Sequence, residues 1–174
     1  MRRRSPDGFG VVLRTLAETV LVAVGIGLVY WLMPIQDRVS AGWVLRLVGG
    51  LLLTGGVVAW QVRSISGSTR PILRAVRGLI VSLAIFVVAF ASTYLSISHQ
   101  QPSSFSDPLS KLDALYFTVT VVATVGFGDI VPRSELARSI TTLQMLLDLV
   151  FLATAGRLLI TTATHSRARQ ERRD

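Results

Sequence analysis

Asp113-Ala-Leu-Tyr-Phe-Thr-Val-Thr-Val-Val-Ala-Thr124-Val-Gly-Phe-Gly-Asp129-Ile-Val-Pro132 is the stretch on which the reading of the whole chain turns. Its first part, Asp113 to Ala123, is an apolar run too short to cross a bilayer, whose hydrocarbon core of about 30 Å takes about 20 helical residues. The run leads straight into a glycine-rich turn. At membrane depth such a segment reads as re-entrant, because non-helical backbone is tolerated there only where it is buried in protein or lines a wet cavity.

Working outward, four runs are long and apolar enough to be expected as spans. The first is Val11 to Met33, in which Arg14 and Glu18 lie one helical turn apart and can pair, lowering the cost of charge near the interface. A secretory signal peptide is the competing reading of this Arg-led segment. No small-residue cleavage site follows it, so it is expected to be retained. The second, Trp43 to Val62, carries Arg46 near one end, where its stem can snorkel, and Gly49, Gly50, Gly55 and Gly56, which offer packing surface if they are not simply tolerated filler. Leu79 to Ile97 is the clearest, since no charged residue lies between Arg77 and Asp107. The last runs from Leu136 to Ala163.

Composition agrees with a membrane protein, with 51% of the 174 residues hydrophobic and only 16% charged. There is no cysteine, so disulfides and thiolate metal sites are excluded. The net charge of +8 does not form one basic face, as a nucleic-acid binder's would; the arginines flank the apolar runs. With both termini cytoplasmic, 13 Lys and Arg fall inside and 5 outside, which satisfies the positive-inside rule for a multi-pass cell-membrane protein. The expected organisation is a cytoplasmic N-terminus (1–10), two N-terminal spans (11–62), a basic cytoplasmic linker (63–78), a module built around the re-entrant segment (79–163) and a basic tail (164–174), the tail too short to fold alone. Within 79–163 we expect a span over 79–97, a polar loop over 98–110, a short helix over 111–123, a glycine-rich loop over 124–129 and a last span over 136–163.

The chemistry lies in the loop. A potassium ion can exchange its water shell for a row of backbone carbonyls of similar field strength. Aiming successive carbonyls at one axis needs unusual dihedrals, which Gly126 and Gly128 tolerate, while Val125 and Phe127 turn their side chains outward and Thr124 can add its hydroxyl at the inner end. The C-terminal end of the short helix would favour a cation, and Ser110 or Asp113 can cap its start. Tyr116 and Phe117 sit where they could brace the loop, or simply pack at the interface.

Thr124-Val-Gly-Phe-Gly-Asp129, preceded by a short helix and followed by Pro132 and a span, resembles the selectivity filter of the potassium-channel superfamily. The resemblance covers Leu79 to about Ala163. It implies an all-α membrane protein, with outer helix, pore helix, filter and inner helix repeated in a homotetramer, no cofactor beyond the permeant potassium ion, and the filter ion-binding residues Thr124, Val125, Gly126, Phe127 and Gly128. Phe127 replaces the commoner tyrosine, Val121 and Ala123 stand where many relatives carry threonines, and Thr120 stands where some bacterial members pair a glutamate with the aspartate that follows the filter, here Asp129. These departures bear on filter rigidity. A potassium-transporter subunit, or a non-conducting or less selective cation channel, is the alternative; such transporters usually carry several weaker loops in one long chain. No nucleophile-base or metal-ligand constellation suggests an enzyme.

Asp148 lies twelve residues into the last span, about 18 Å down at the helical rise, and shares helical spacing with Thr141 and Gln144. Two roles stay open for it: a cavity carboxylate that concentrates cations, near where many channels have a hinge glycine, or a buried bond to another helix. Arg70, Arg74 and Arg77 precede the third span instead of lying within it, so they read as an interfacial cluster for anionic lipid and not as a voltage sensor.

Overall fold

A computed structural model describes residues 7–32, 42–65 and 71–171. Among the described residues the fold has five α-helices, α1 (Asp7–Leu32), α2 (Gly42–Ile65), α3 (Pro71–Gln100), α4 (Lys111–Val122) and α5 (Glu135–Glu171), and a 3-10 turn at Pro102–Ser104. Among the described residues there is no strand, only an isolated antiparallel bridge between Phe105 and Pro132. The chain is thus an all-α membrane protein.

Three helices carry windows long and apolar enough to cross a membrane: Val12–Leu32, Val76–Gln100 and Glu135–Arg157. The remaining expected span, α2, forms a 24-residue helix whose apolar stretch among the described residues is Leu47–Val57. Most of 63–78 is not a linker: α2 continues to Ile65 and α3 begins at Pro71. Proline suits a first helical position, where its missing N–H has no partner to lose. The inner helix likewise overruns its expected end and takes in most of the tail, whose Arg, Ala, Gln and Glu are good helix formers uninterrupted by Gly or Pro.

α3 is the hub, packing against every other helix of the chain. Between helices in lipid the driving force is close packing and hydrogen bonding, since lipid tails are as apolar as leucine. Gly50 shows the first: a Cβ there would stand 2.5 Å from the Cβ of Ala89 on α3, so only glycine allows this approach. Gly49, Gly55 and Gly56 face open space. α1 lies at the perimeter, with most of its large side chains exposed, and is held by polar contacts at two points. Near its middle Glu18 takes Arg14 at 3.1 Å and Arg77 of α3 at 3.3 Å. At its C-terminal end the Tyr30 hydroxyl donates to the Lys111 carbonyl at 2.7 Å, and Lys111 Nζ donates to the Trp31 carbonyl at 2.6 Å. The Arg14–Glu18 pair anticipated from spacing is present. Arg77 serves this inter-helix pair; Arg70 and the Arg74 side chain lie outside the described residues, as does the start of the N-terminal segment.

The core sits behind α4. Tyr94, Phe105 and Phe117 form a triangle of edge-to-face rings with centroids 5.0 to 5.8 Å apart. Such pairs contribute about 0.5–1.5 kcal/mol each beyond simple burial. Phe105 comes from the loop between α3 and α4, so this polar, serine-rich segment is anchored by its one aromatic residue.

Candidate functional site: the α4–loop–α5 re-entrant segment

The short helix starts where its sequence caps it. Ser110 Oγ accepts the Asp113 N–H and Asp113 returns the bond to the Ser110 N–H, a complete capping box. Two of the orphan donors that open every helix are thereby satisfied. Phe117 and Ala114 face the core, so the helix is fixed in rotation as well as in depth.

At its other end the helix holds the loop. The Thr124 N–H donates to the Val121 carbonyl at 2.9 Å, and the Thr120 carbonyl takes the N–H of both Val125, at 2.9 Å, and Gly126, at 3.3 Å. Beyond this point the backbone alternates in hand. Thr124, Gly126 and Gly128 have φ of 56°, 53° and 81°, while Val125 and Phe127 between them do not enter the positive region. Alternation of this kind turns successive peptide units about the chain axis and brings their carbonyls toward one side. None of the hydrogen bonds among the described residues ends on a carbonyl of residues 124–128. Positive φ was anticipated for the two glycines. For Thr124 it was not, and a β-branched residue there is a genuine outlier that its surroundings must impose.

The far side of the loop is stapled to the α3–α4 connection. The Ser106 N–H donates to the Val131 carbonyl at 2.9 Å, and Ser106 Oγ donates to the Asp129 carbonyl at 3.2 Å and accepts the Val131 N–H at 3.2 Å. The Arg133 and Ser134 N–H groups both donate to the Ser104 carbonyl, at 2.7 and 3.2 Å. Sequence reading missed Ser104, Ser106 and Phe105. A lone aromatic in a polar loop was the signal available for the last.

Tyr116 stacks on Phe127, rings 4° from parallel with centroids 6.3 Å apart. The Tyr116 hydroxyl beside Asp129 holds that carboxyl below its ordinary range. α4 and the loop are thus joined through Tyr116. Phe117, grouped with Tyr116 in the sequence, packs instead in the aromatic core, and Thr120 is buried with its Oγ1 donating to the Phe117 carbonyl at 2.8 Å.

Thr141, Gln144 and Asp148 do lie on one stripe of α5, but it faces into the protomer. All three are buried, Asp148 at 5% exposure, while Met145, Leu146, Leu149 and Leu152 occupy the open faces of the helix. In the single chain the Asp148 side chain is thus turned into the protomer, not left open. Gln144 is at the centre: its Oε1 accepts from the Tyr94 hydroxyl at 2.7 Å and its Nε2 donates to the Thr118 carbonyl at 3.2 Å. Asp148 Oδ2 is buried without a hydrogen-bond partner.

Residues 81–165 match a family described as ion channel. Three curated proteins are similar to part of the chain. The inward rectifier potassium channel Kirbac3.1 of Paramagnetospirillum magnetotacticum is 32% identical over 89 residues, 51% of this chain and 28% of that protein. The calcium-gated potassium channel TvoK of Thermoplasma volcanium is 34% identical over 74 residues, 42% of this chain and 21% of that one. The two pore potassium channel b of Oryza sativa subsp. japonica is 40% identical over 74 residues, again 42% of this chain and 20% of its own length. The aligned stretches therefore span between a fifth and about a quarter of these relatives. No solved structure matches the chain.

Proposed function

From the premise that the segment 81–165 belongs to the ion channel family, within the potassium-channel superfamily, we propose that the chain conducts potassium passively and selectively through a filter formed by Thr124 to Gly128 of four identical subunits. The observation that carries the reading is the alternation of hand at 124, 126 and 128, a backbone form with little use except to present carbonyls in a row. One strand supplies one quarter of each carbonyl ring, and closing the ring requires rotational symmetry. The exposure of Val125 and Phe127, at 53% and 70% in the single chain, fits a strand that completes its packing against other copies.

Each part of the site then has a task. The Thr120 carbonyl fixes the inner end of the strand, Tyr116 and the Ser106 staples fix its outer end, and the carbonyls between stay free for dehydrated ions. The C-terminal end of α4 adds a partial negative charge that favours a cation at the inner mouth. Both termini lie on the cytoplasmic side by the distribution of arginines, and the membrane-facing helices meet lipid directly.

Purified protein in planar bilayers under opposed potassium and sodium gradients tests this. The reversal potential should follow the potassium gradient, and barium, close to potassium in size, should block. A reversal potential indifferent to potassium refutes the proposal.

A further inference from the structure

Gln144 is the most completely buried polar side chain of α5, and it touches two other helices through one amide. Tyr94 of α3 donates to its Oε1 at 2.7 Å, and its Nε2 donates to the Thr118 carbonyl of α4 at 3.2 Å. An amide presents donor and acceptor at a single end. The Thr118 carbonyl, which can only accept, settles which end points where. Tyr94 is itself held by Phe105 and Phe117, so the amide is oriented by a ring that the core does not allow to turn.

What lies beyond Thr118 gives this arrangement its consequence. Two residues further along α4 the Thr120 carbonyl takes the N–H groups of Val125 and Gly126. α4 and α5 otherwise touch along only a short stretch. A displacement of α5 therefore reaches the last turn of α4, and the inner end of the loop, chiefly through Gln144. Resting on the reading of 124–128 as a filter, we infer that Gln144 is a positioning residue through which the inner helix holds the pore helix and the filter in conducting geometry, with Tyr94 orienting its amide.

Gln144→Met keeps the volume and removes both bonds; Tyr94→Phe keeps the ring and removes one. Each is reconstituted as the full chain, and single-channel records give open probability, unitary conductance and reversal potential, with melting of the assembly measured alongside. Gln144→Met should lower open probability about tenfold and Tyr94→Phe about threefold, at unchanged unitary conductance and reversal potential. The double variant should be no worse than Gln144→Met, since contacting residues of one network are non-additive. Amide exchange over 120–128 should quicken in both single variants. A lowered melting temperature with open probability and exchange as in the parent would mark a merely structural bond and overturn the inference, as would full additivity. If Gln144→Met does not assemble, Tyr94→Phe decides alone by the same two readouts. If the parent passes no potassium, the filter reading falls, and exchange at Val125 and Gly126 still decides whether Gln144 positions the loop.

Discussion

Thr124 carries the costliest backbone of the loop. An L-residue in the left-handed region costs about 1–2 kcal/mol, and β-branching adds to that. The two N–H bonds to the Thr120 carbonyl, immediately after it, hold the chain on that path. Gly126 adopts the same hand without penalty. Gly126→Ala should therefore leave folding intact, because nothing lies within 4 Å of an added Cβ in the single chain, yet introduce strain of about 1–2 kcal/mol into each filter strand. We expect the potassium-over-sodium permeability ratio to fall about tenfold, read from reversal potentials; an unchanged ratio would contradict the role given to this backbone. Asp129 offers a second test. Its carboxyl is held below the ordinary value of 3.8, first by the Tyr116 hydroxyl. A depressed pKa keeps the group charged down to more acid pH, so whatever Asp129 contributes to current is present above that pH and lost only as pH falls through the lowered value. Tyr116→Phe removes the largest cause and should shift the midpoint of external-acid inhibition upward; a midpoint that stays put would exclude Tyr116 as its partner.

Among the elements, α5 holds the clearest lesson in what sequence can convey. Helical spacing correctly put Thr141, Gln144 and Asp148 on one stripe, but spacing is silent on which neighbour the stripe meets. That depends on Tyr94 and Thr118, 50 and 26 residues away from Gln144 in the chain. The start of α4 was legible because a capping box is written in adjacent residues, and the loop was legible because its glycines announce their dihedrals. Phe105 and the Ser104 and Ser106 staples were not, since their partners lie across the loop at Phe117, Asp129, Val131, Arg133 and Ser134. The end of α2 and start of α3 were misplaced because charge was read as linker, whereas Arg is a good helix former and Pro71 a good first residue. With Asp148 turned into the protomer, Asp148→Asn should leave internal spermine block and unitary conductance unchanged. It also removes a buried charge whose Oδ2 has no partner, so assembly stability should hold or rise. Weakened spermine block in this variant would return Asp148 to the pore axis.

For the whole molecule, the proposed reading of one filter strand per chain makes symmetry a requirement of conduction. Native mass measurement in mild detergent should give four copies, and a stable monomer or dimer that still conducts would be incompatible with a carbonyl ring built this way. The two helices ahead of the pore module add a different property. α1 is exposed over most of its surface in the single chain but is fastened at two points: near its middle to Arg77 through Glu18, and at its C-terminal end to the first residue of α4 through Tyr30, Trp31 and Lys111. A rod pinned in this way cannot tilt freely. When the bilayer thins and α1 leans to match it, the load falls on a carbonyl at the head of the pore helix, so the perimeter of the protein is mechanically in series with its centre.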